Sequence, residues 1–281
     1  MTSASSRGRW GWTRLTLLLV LTGSGTLFYA WSRSLPDVGQ LGNLGALAGI
    51  APGPLRPLPE PPGSEERRDL PVALPDIAPY AVAAVVWSED RRFYQHPGFD
   101  PRSLVRSLFA TLVLKRQEGG STITAQLVRS TLVTPDKTLE RKFRELILSY
   151  RVERHYNKSE ILAAYLNTVY WGGTLSGIRA ASEAYFGKPP ASLTLAEGVY
   201  LASLLPAPNA RYAHLAETRR EMGVRLNGMA REGLITHLQA HQAWLELLQP
   251  LGWQARYDGR GNLTEARLLD PQANVPTQSR L

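Results

Sequence analysis

Glu89 to Gly98 reads EDRRFYQHPG and sets two adjacent carboxylates, an aromatic ring and a histidine within ten positions. Upstream, Ile77 to Ser88 carries apolar or small residues at 77, 81, 84, 85 and 88, the spacing of one helical face running into the motif. Downstream comes GGSTITAQ, Gly119 to Gln126, and after it RKFRE, Arg141 to Glu145. A carboxylate such as Glu89 takes a proton from a hydroxyl when burial or a like charge lifts its pKa toward neutrality, and Asp90 supplies the like charge. The competing reading is a solvated acidic helix end. Phe93 argues against it by adding a dry wall, and His96, set just before Pro97, reads as an anchored turn.

Glycines let a backbone approach a ligand closely, and successive N–H groups at a helix start attract anions. Gly119, Gly120, Ser121, Thr122 and Thr124 therefore suit a sugar or phosphate, with a plain N-capped loop as the alternative. Arg141, Lys142 and Glu145 neighbour one another on a helix. The apolar stripe Phe143, Leu146, Ile147 and Tyr150 lies opposite, so the three charges are expected to face away from the core. A surface salt-bridged face is the bland account. Further positive charge at Arg129 and Lys137 favours a clamp for a pyrophosphate leaving group.

The other segments are also helical in period. Pro101 to Leu114 places Leu104, Val105 and Leu108 on one face, for which core packing is the simpler expectation. Thr122 to Leu132 opens on hydroxyls able to cap it. Ser159 and Glu160 open a helix through Leu166, and Leu195 to Leu205 is an apolar helix stopped by Pro206. Glu217 to Glu232 and Thr236 to Leu248 complete the set. Few segments alternate with period two, so the fold class is mainly α. The tail, 250–281, reads as irregular.

Residues Leu15 to Trp31 contain no charge, and seventeen helical residues span about 25 Å, enough for a bilayer core. Trp10, Trp12, Tyr29 and Trp31 flank them, and Arg7, Arg9 and Arg14 precede them against Arg33 alone behind. A single transmembrane helix is expected, N-terminus cytoplasmic and the rest outside the membrane; a cleaved signal peptide is the alternative. Residues 35–71 are Pro/Gly-rich, with PGPLRPLPEPPG at 52–63, and read as an extended spacer. The domain plan is thus 1–34 cytoplasmic tip and anchor, 35–71 spacer, 72–249 catalytic domain and 250–281 tail. The chain has no cysteine, which removes disulfide and thiolate-metal readings. Its net charge of +8 favours anionic partners. Nucleic acid is disfavoured, because the basic residues are interleaved with carboxylates instead of forming a stripe.

From about Leu74 to Trp244 the chain resembles the peptidoglycan glycosyltransferases of glycosyltransferase family 51, the polymerising module of class A penicillin-binding proteins and of monofunctional relatives. EDRRFYQHPG, GGSTITAQ and RKFRE carry the likeness. KSEILAAYLN (158–167), GIRAASEAYFGK (177–188) and LTLAEGVYLASLLPAPNARY (193–212) continue it in family order. The resemblance implies a lysozyme-like helical domain that polymerises lipid II with inversion and releases undecaprenyl pyrophosphate. It makes Glu89 the general base and Glu145 the second carboxylate, near the donor phosphate. Arg129, Lys137, Arg141 and Lys142 become phosphate-binding, and Asp90, His96, Gly120, Ser121, Thr122, Gln126 and Asn167 fall among the substrate-binding positions. No cofactor or metal is required, with a divalent cation (Mg or Mn) as an optional addition. The implied partners are lipid II, nascent glycan, the membrane and other cell-wall synthases. Ala125 replaces one of two usual glutamines, Arg129 a lysine, Lys137 an arginine and Ser130 an asparagine. With no Ser-x-x-Lys motif and following domain, a monofunctional polymerase is expected. The alternatives are a lysozyme-like glycan-cleaving enzyme and a non-catalytic lipid II-binding module.

Overall fold

The structure is a computed structural model that describes residues 29–33, 35, 36, 38, 70–113, 115, 119–132 and 138–269. Contacts divide the chain into two units, 1–38 and 39–281. In the first, residues 29–33 form a short helical stretch in which Ser32 Oγ donates to Tyr29 O at 2.8 Å. Most of the expected anchor and nearly all of the spacer lie outside the described residues. Among the described residues, no helix is long and apolar enough to cross a membrane.

The second unit is mainly helical. Its helices are α1 (Pro79–Glu89), α2 (Pro101–Leu112), α3 (Ile123–Thr131), α4 (Leu139–His155), α5 (Lys158–Thr168), α6 (Ile178–Phe186), α7 (Leu195–Leu204), α8 (Pro208–Ala213), α9 (Leu215–Arg231) and α10 (His237–Leu245). The centre is α7, buried from Ala196 to Leu204. It is apolar almost all round, which suits only a helix surrounded by others. Thr194 and Glu197 close a capping box at its start, and the chain leaves the helix just before Pro206. α1 and α9 pack against it.

Gly198 sets how closely α1 and α7 approach. A Cβ there would lie 2.6 Å from the Ala81 Cα, a backbone atom that moves only with its helix. Gly198→Ala restores roughly 1 kcal/mol of helix propensity but forces the crossing open. We expect a net loss of about 2 kcal/mol in urea unfolding. Gly119→Ala, where nothing lies within 4 Å of the new carbon, should change stability by less than about 0.5 kcal/mol.

Two helices show the reverse of the expected faces. On α4 the stripe Phe143, Leu146 and Tyr150 is exposed, while Glu145, Leu148, Ser149 and Val152 are buried. Tertiary packing decides this, because α4 lies on α3 and α5. Its inward carboxylate is matched by Arg141 and Lys142, at 3.2 and 2.6 Å. On α2, Leu104, Val105 and Phe109 are exposed and Ala110 is buried, so the face containing Leu104 and Val105 is not core.

The expected irregular tail is also corrected. Strands β3 (Trp253–Tyr257) and β4 (Leu263–Leu268) form an antiparallel hairpin, and a short pair, β1 (Tyr170–Gly172) and β2 (Leu175–Ser176), precedes it in the chain. The Asp258 carboxylate closes the hairpin turn by accepting from the Arg260 and Asn262 amides, both at 2.8 Å. Buried Arg219 of α9 docks the hairpin, its guanidinium lying over the Trp244 and Tyr257 rings and donating to Trp244 O and Gly261 O.

Candidate active site

Glu89 ends α1, where the last helical carbonyls disfavour a negative charge. Burial pushes its carboxyl above the ordinary carboxylate range, and neighbouring Asp90 adds to the push. A hydrogen bond from Gln126, then Arg225 and Arg211, pull the other way without cancelling the rise. A carboxyl raised in this manner is a better proton acceptor than a free one near neutral pH.

Gln126 reaches Glu89 because Thr122 starts α3 in the right place. Thr122 Oγ1 accepts from the Ala125 amide at 3.1 Å and donates to Gly98 O at 2.6 Å. One turn on, Gln126 Nε2 donates to Glu89 Oε2 at 2.9 Å, and its Oε1 accepts from the Tyr165 hydroxyl at 3.2 Å. Burial and the Glu89 charge hold the Tyr165 phenol well above its usual pKa, so it stays a donor. A donor facing Oε1 and a carboxylate facing Nε2 fix the glutamine amide in one orientation.

Behind these groups lies a buried polar scaffold. Asp90 accepts from His96 Nε2 at 2.8 Å and from the Ile123 amide at 3.1 Å. The Gly98 amide donates to His96 Nδ1 at 3.2 Å, which leaves the proton on Nε2. Lys158 donates to His96 O and Glu153 at 2.8 and 2.7 Å, and Thr124 donates to Glu153 at 2.5 Å. Asp90 and His96, which the resemblance puts among the substrate-binding positions, are hydrogen-bonded within this scaffold. Asn167 is likewise bonded within the protein, donating to Val72 O and Ala163 O and accepting from the Val72 amide. At Gly120 a Cβ would collide with the Ser107 side chain, so close packing alone calls for glycine there.

The cationic side comes from α4. Glu145, 2 % exposed, binds Lys142 through one oxygen and Arg141 through the other. Lys142 also lies 3.4 Å from Ser121 Oγ and stays half exposed. The segment 121–126 thus touches the cationic group at one end and Glu89 at the other. Arg129 is exposed in the last turn of α3, near enough to act on Tyr165. Lys137 lies outside the described residues. No group of three or more potential metal ligands occurs among the described residues.

Residues 57–230 match the family model described as Transglycosylase. The chain belongs to the transglycosylase family. Penicillin-binding protein 1A of Escherichia coli is 40 % identical over 188 residues, 65 % of this chain and 22 % of that protein. Penicillin-binding protein 1A of Rickettsia conorii is 33 % identical over 248 residues, 82 % of this chain and 30 % of its own length. Penicillin-binding protein 1F of Bacillus subtilis is 41 % identical over 140 residues, 50 % and 20 % respectively. The chain therefore spans less than a third of the length of each of these curated relatives.

Four residues at the candidate site are not evident from the sequence alone: Tyr165, Arg211, Glu221 and Arg225. Tyr165 had a signal. It sits in the buried run Ile161–Leu166, and a buried tyrosine hydroxyl needs a partner. The Glu221–Arg225 spacing is legible as a helical ion pair, but not its closeness to Glu89, over 130 positions away.

Proposed function

We propose that the chain polymerises peptidoglycan glycan from lipid II by inverting glycosyl transfer. The observation that carries this is one short segment, 121–126, bonded at one end to a carboxyl of raised pKa and at the other to a carboxylate-anchored pair of cations. Glu89 takes the proton of the acceptor sugar's 4-hydroxyl, and that oxygen forms a bond to the donor's anomeric carbon. The bond from that carbon to the phosphate oxygen breaks, and undecaprenyl pyrophosphate leaves with the electron pair. Arg141 and Lys142, with Arg129 and Lys137, offset the charge on the leaving phosphate. Glu145 holds the first two at their station. A glycan-cleaving enzyme has no pyrophosphate to bind, and the cationic cluster favours transfer over cleavage. A lysozyme-like arrangement of the helical domain accords with a glutamate at a helix end. Incubating the full chain with labelled lipid II tests the reading: long glycan supports it, and unreacted lipid II still bound to the chain overturns it in favour of a binding module.

A membrane seat belongs to the same reading. The substrate's lipid stays in the bilayer, residues 15–31 supply an anchor, and α2 presents Leu104, Val105 and Phe109 to solvent beside Arg102 and Arg106. Apolar and basic residues together on an exposed helix suit an anionic lipid interface. Because the chain lacks cysteine, a Phe109→Cys variant takes a spin label at that position alone. In vesicles we expect the label at 109 to be reached by oxygen more readily than by a water-soluble nickel complex. A label placed by Arg267→Cys, on the exposed part of β4, should show the reverse; matching behaviour at the two positions would remove the seat.

A further inference from the structure

Arg225 of α9 is a buried arginine whose side chain does not end in the hydrophobic core. Its Nε donates to Ser88 Oγ at 3.1 Å, against the residue that precedes Glu89. Its Nη1 binds Glu221 Oε2 at 2.7 Å and Glu221 O at 3.2 Å. The same Glu221 oxygen faces Arg211 Nη1 from α8, at 3.6 Å. Two guanidinium groups therefore share one carboxylate beside the end of α1, leaving one uncompensated positive charge in the triplet.

We infer that Arg211, Glu221 and Arg225 form a charge-balancing triplet that positions the pH range over which Glu89 accepts a proton. The inference rests on the glycosyl-transfer reading for its consequence and on the geometry for its existence. Both arginines act on Glu89 in the direction that favours its charged form, against the burial that opposes it. Arg225, ahead of Arg211, holds Glu221 below the usual carboxylate range, so that counter-charge stays ionised where the enzyme works. The other groups facing Glu89 are Asp90 from its own segment, Gln126 from α3 and Tyr165 from α5. Tyr165 stays neutral, so the balance is struck between Asp90 and the triplet. The arginines are positioning residues: they act through Glu89, and no contact with substrate is assigned to them.

A plain structural tie between α9 and α1 predicts lower stability on mutation and no ordered change in pH dependence. The triplet predicts shifts of opposite sign. Arg225→Met removes a cation and leaves Glu221 less compensated, so the acid limb of the kcat/KM profile should move up by about half a unit to one unit. Glu221→Gln releases both cations to act on Glu89, and the limb should move down by a similar amount. Arg225→Lys keeps the charge and should restore the wild-type limb even where some stability is lost. Limbs that stay put in both neutralising variants, or that move the same way, overturn the inference. If Arg225→Met does not fold, Glu221→Gln, with its half-exposed side chain, decides the sign alone. The Glu89 carboxyl carbon, assigned with Glu89→Gln, is titrated by NMR in the same variants. Absence of glycan from the wild type removes the functional reading, while that titration still decides the triplet.

Discussion

Glu89→Gln is expected to fold, to bind lipid II and to polymerise it about 10²–10⁴-fold more slowly than the wild type. That loss corresponds to about 3–6 kcal/mol of barrier, at about 1.4 kcal/mol for each tenfold. The substitution is close to isosteric, and its carbonyl oxygen still accepts the Gln126 Nε2–H that now binds Glu89 at 2.9 Å. What disappears is a basic lone pair able to carry a proton away from the acceptor hydroxyl. Stability should move the other way. The folded-state pKa of Glu89 lies above its ordinary value of 4.5, so the folded protein holds that proton more tightly than the unfolded chain does. The stability this contributes is fully present below pH 4.5 and is lost as pH rises through the folded value. At pH 7 the ionised, half-buried carboxylate is a burden that glutamine relieves. Thermal melts at pH 7 should show the variant above the wild type, with the gap closing below pH 4.5. In the wild type the same raised pKa predicts an acid limb in kcat/KM above the usual carboxylate range, which Glu89→Gln abolishes. A variant with near wild-type turnover would take the base role from Glu89.

The sequence is a good guide to the helices and a poor one to their faces. Thr122, Thr194 and Glu197 mark helix starts because capping is local chemistry, readable from three or four adjacent residues. The orientation of α4 is not local. Phe143, Leu146 and Tyr150 form the more apolar stripe, yet the buried side holds Glu145, Leu148, Ser149 and Val152. Periodicity locates an apolar stripe without saying whether protein or some other apolar medium covers it. A buried glutamate becomes tolerable only once Arg141 and Lys142 are known to reach it. At the site, Glu89, Arg141, Lys142 and Glu145 came from motif and charge, and Gln126 from the family resemblance. The partners that tune them came from far along the chain: Tyr165 bonds Gln126 across 39 positions, and Arg225 bonds Ser88, next to Glu89, across 137. The terminal hairpin had a visible signal in Asp258-Gly259. Its strands bury little of their own, and docking on Arg219 and Tyr212 decides their order.

Asp90 is the residue whose loss should cost the fold most around the site, and removing it separates scaffold from chemistry. Its carboxylate is buried between His96 Nε2–H and the Ile123 amide. The first bond fixes the turn after α1, and the second fixes the start of α3 and hence the aim of Gln126. Asp90→Ala leaves both donors buried without an acceptor. A hydrogen bond to a charged group is worth about 1.5–3 kcal/mol, so losing two should cost about 3–6 kcal/mol in urea unfolding. Asp90→Asn can keep a carbonyl oxygen in the place of Oδ2, which accepts from both donors, while its NH2 group takes the place of Oδ1 and meets the His96 Nε2–H, so it should cost about half as much. Activity separates the two roles further. If Asp90 only supports, Asp90→Asn retains polymerisation in proportion to its folded fraction, and its acid limb shifts slightly downward because Asp90 no longer pushes on Glu89. If Asp90 takes part in proton transfer, Asp90→Asn loses turnover to the extent that Glu89→Gln does, at full folding. The hydrogen bonds favour the first outcome, since both donors are protein groups and each is met at 3.1 Å or less.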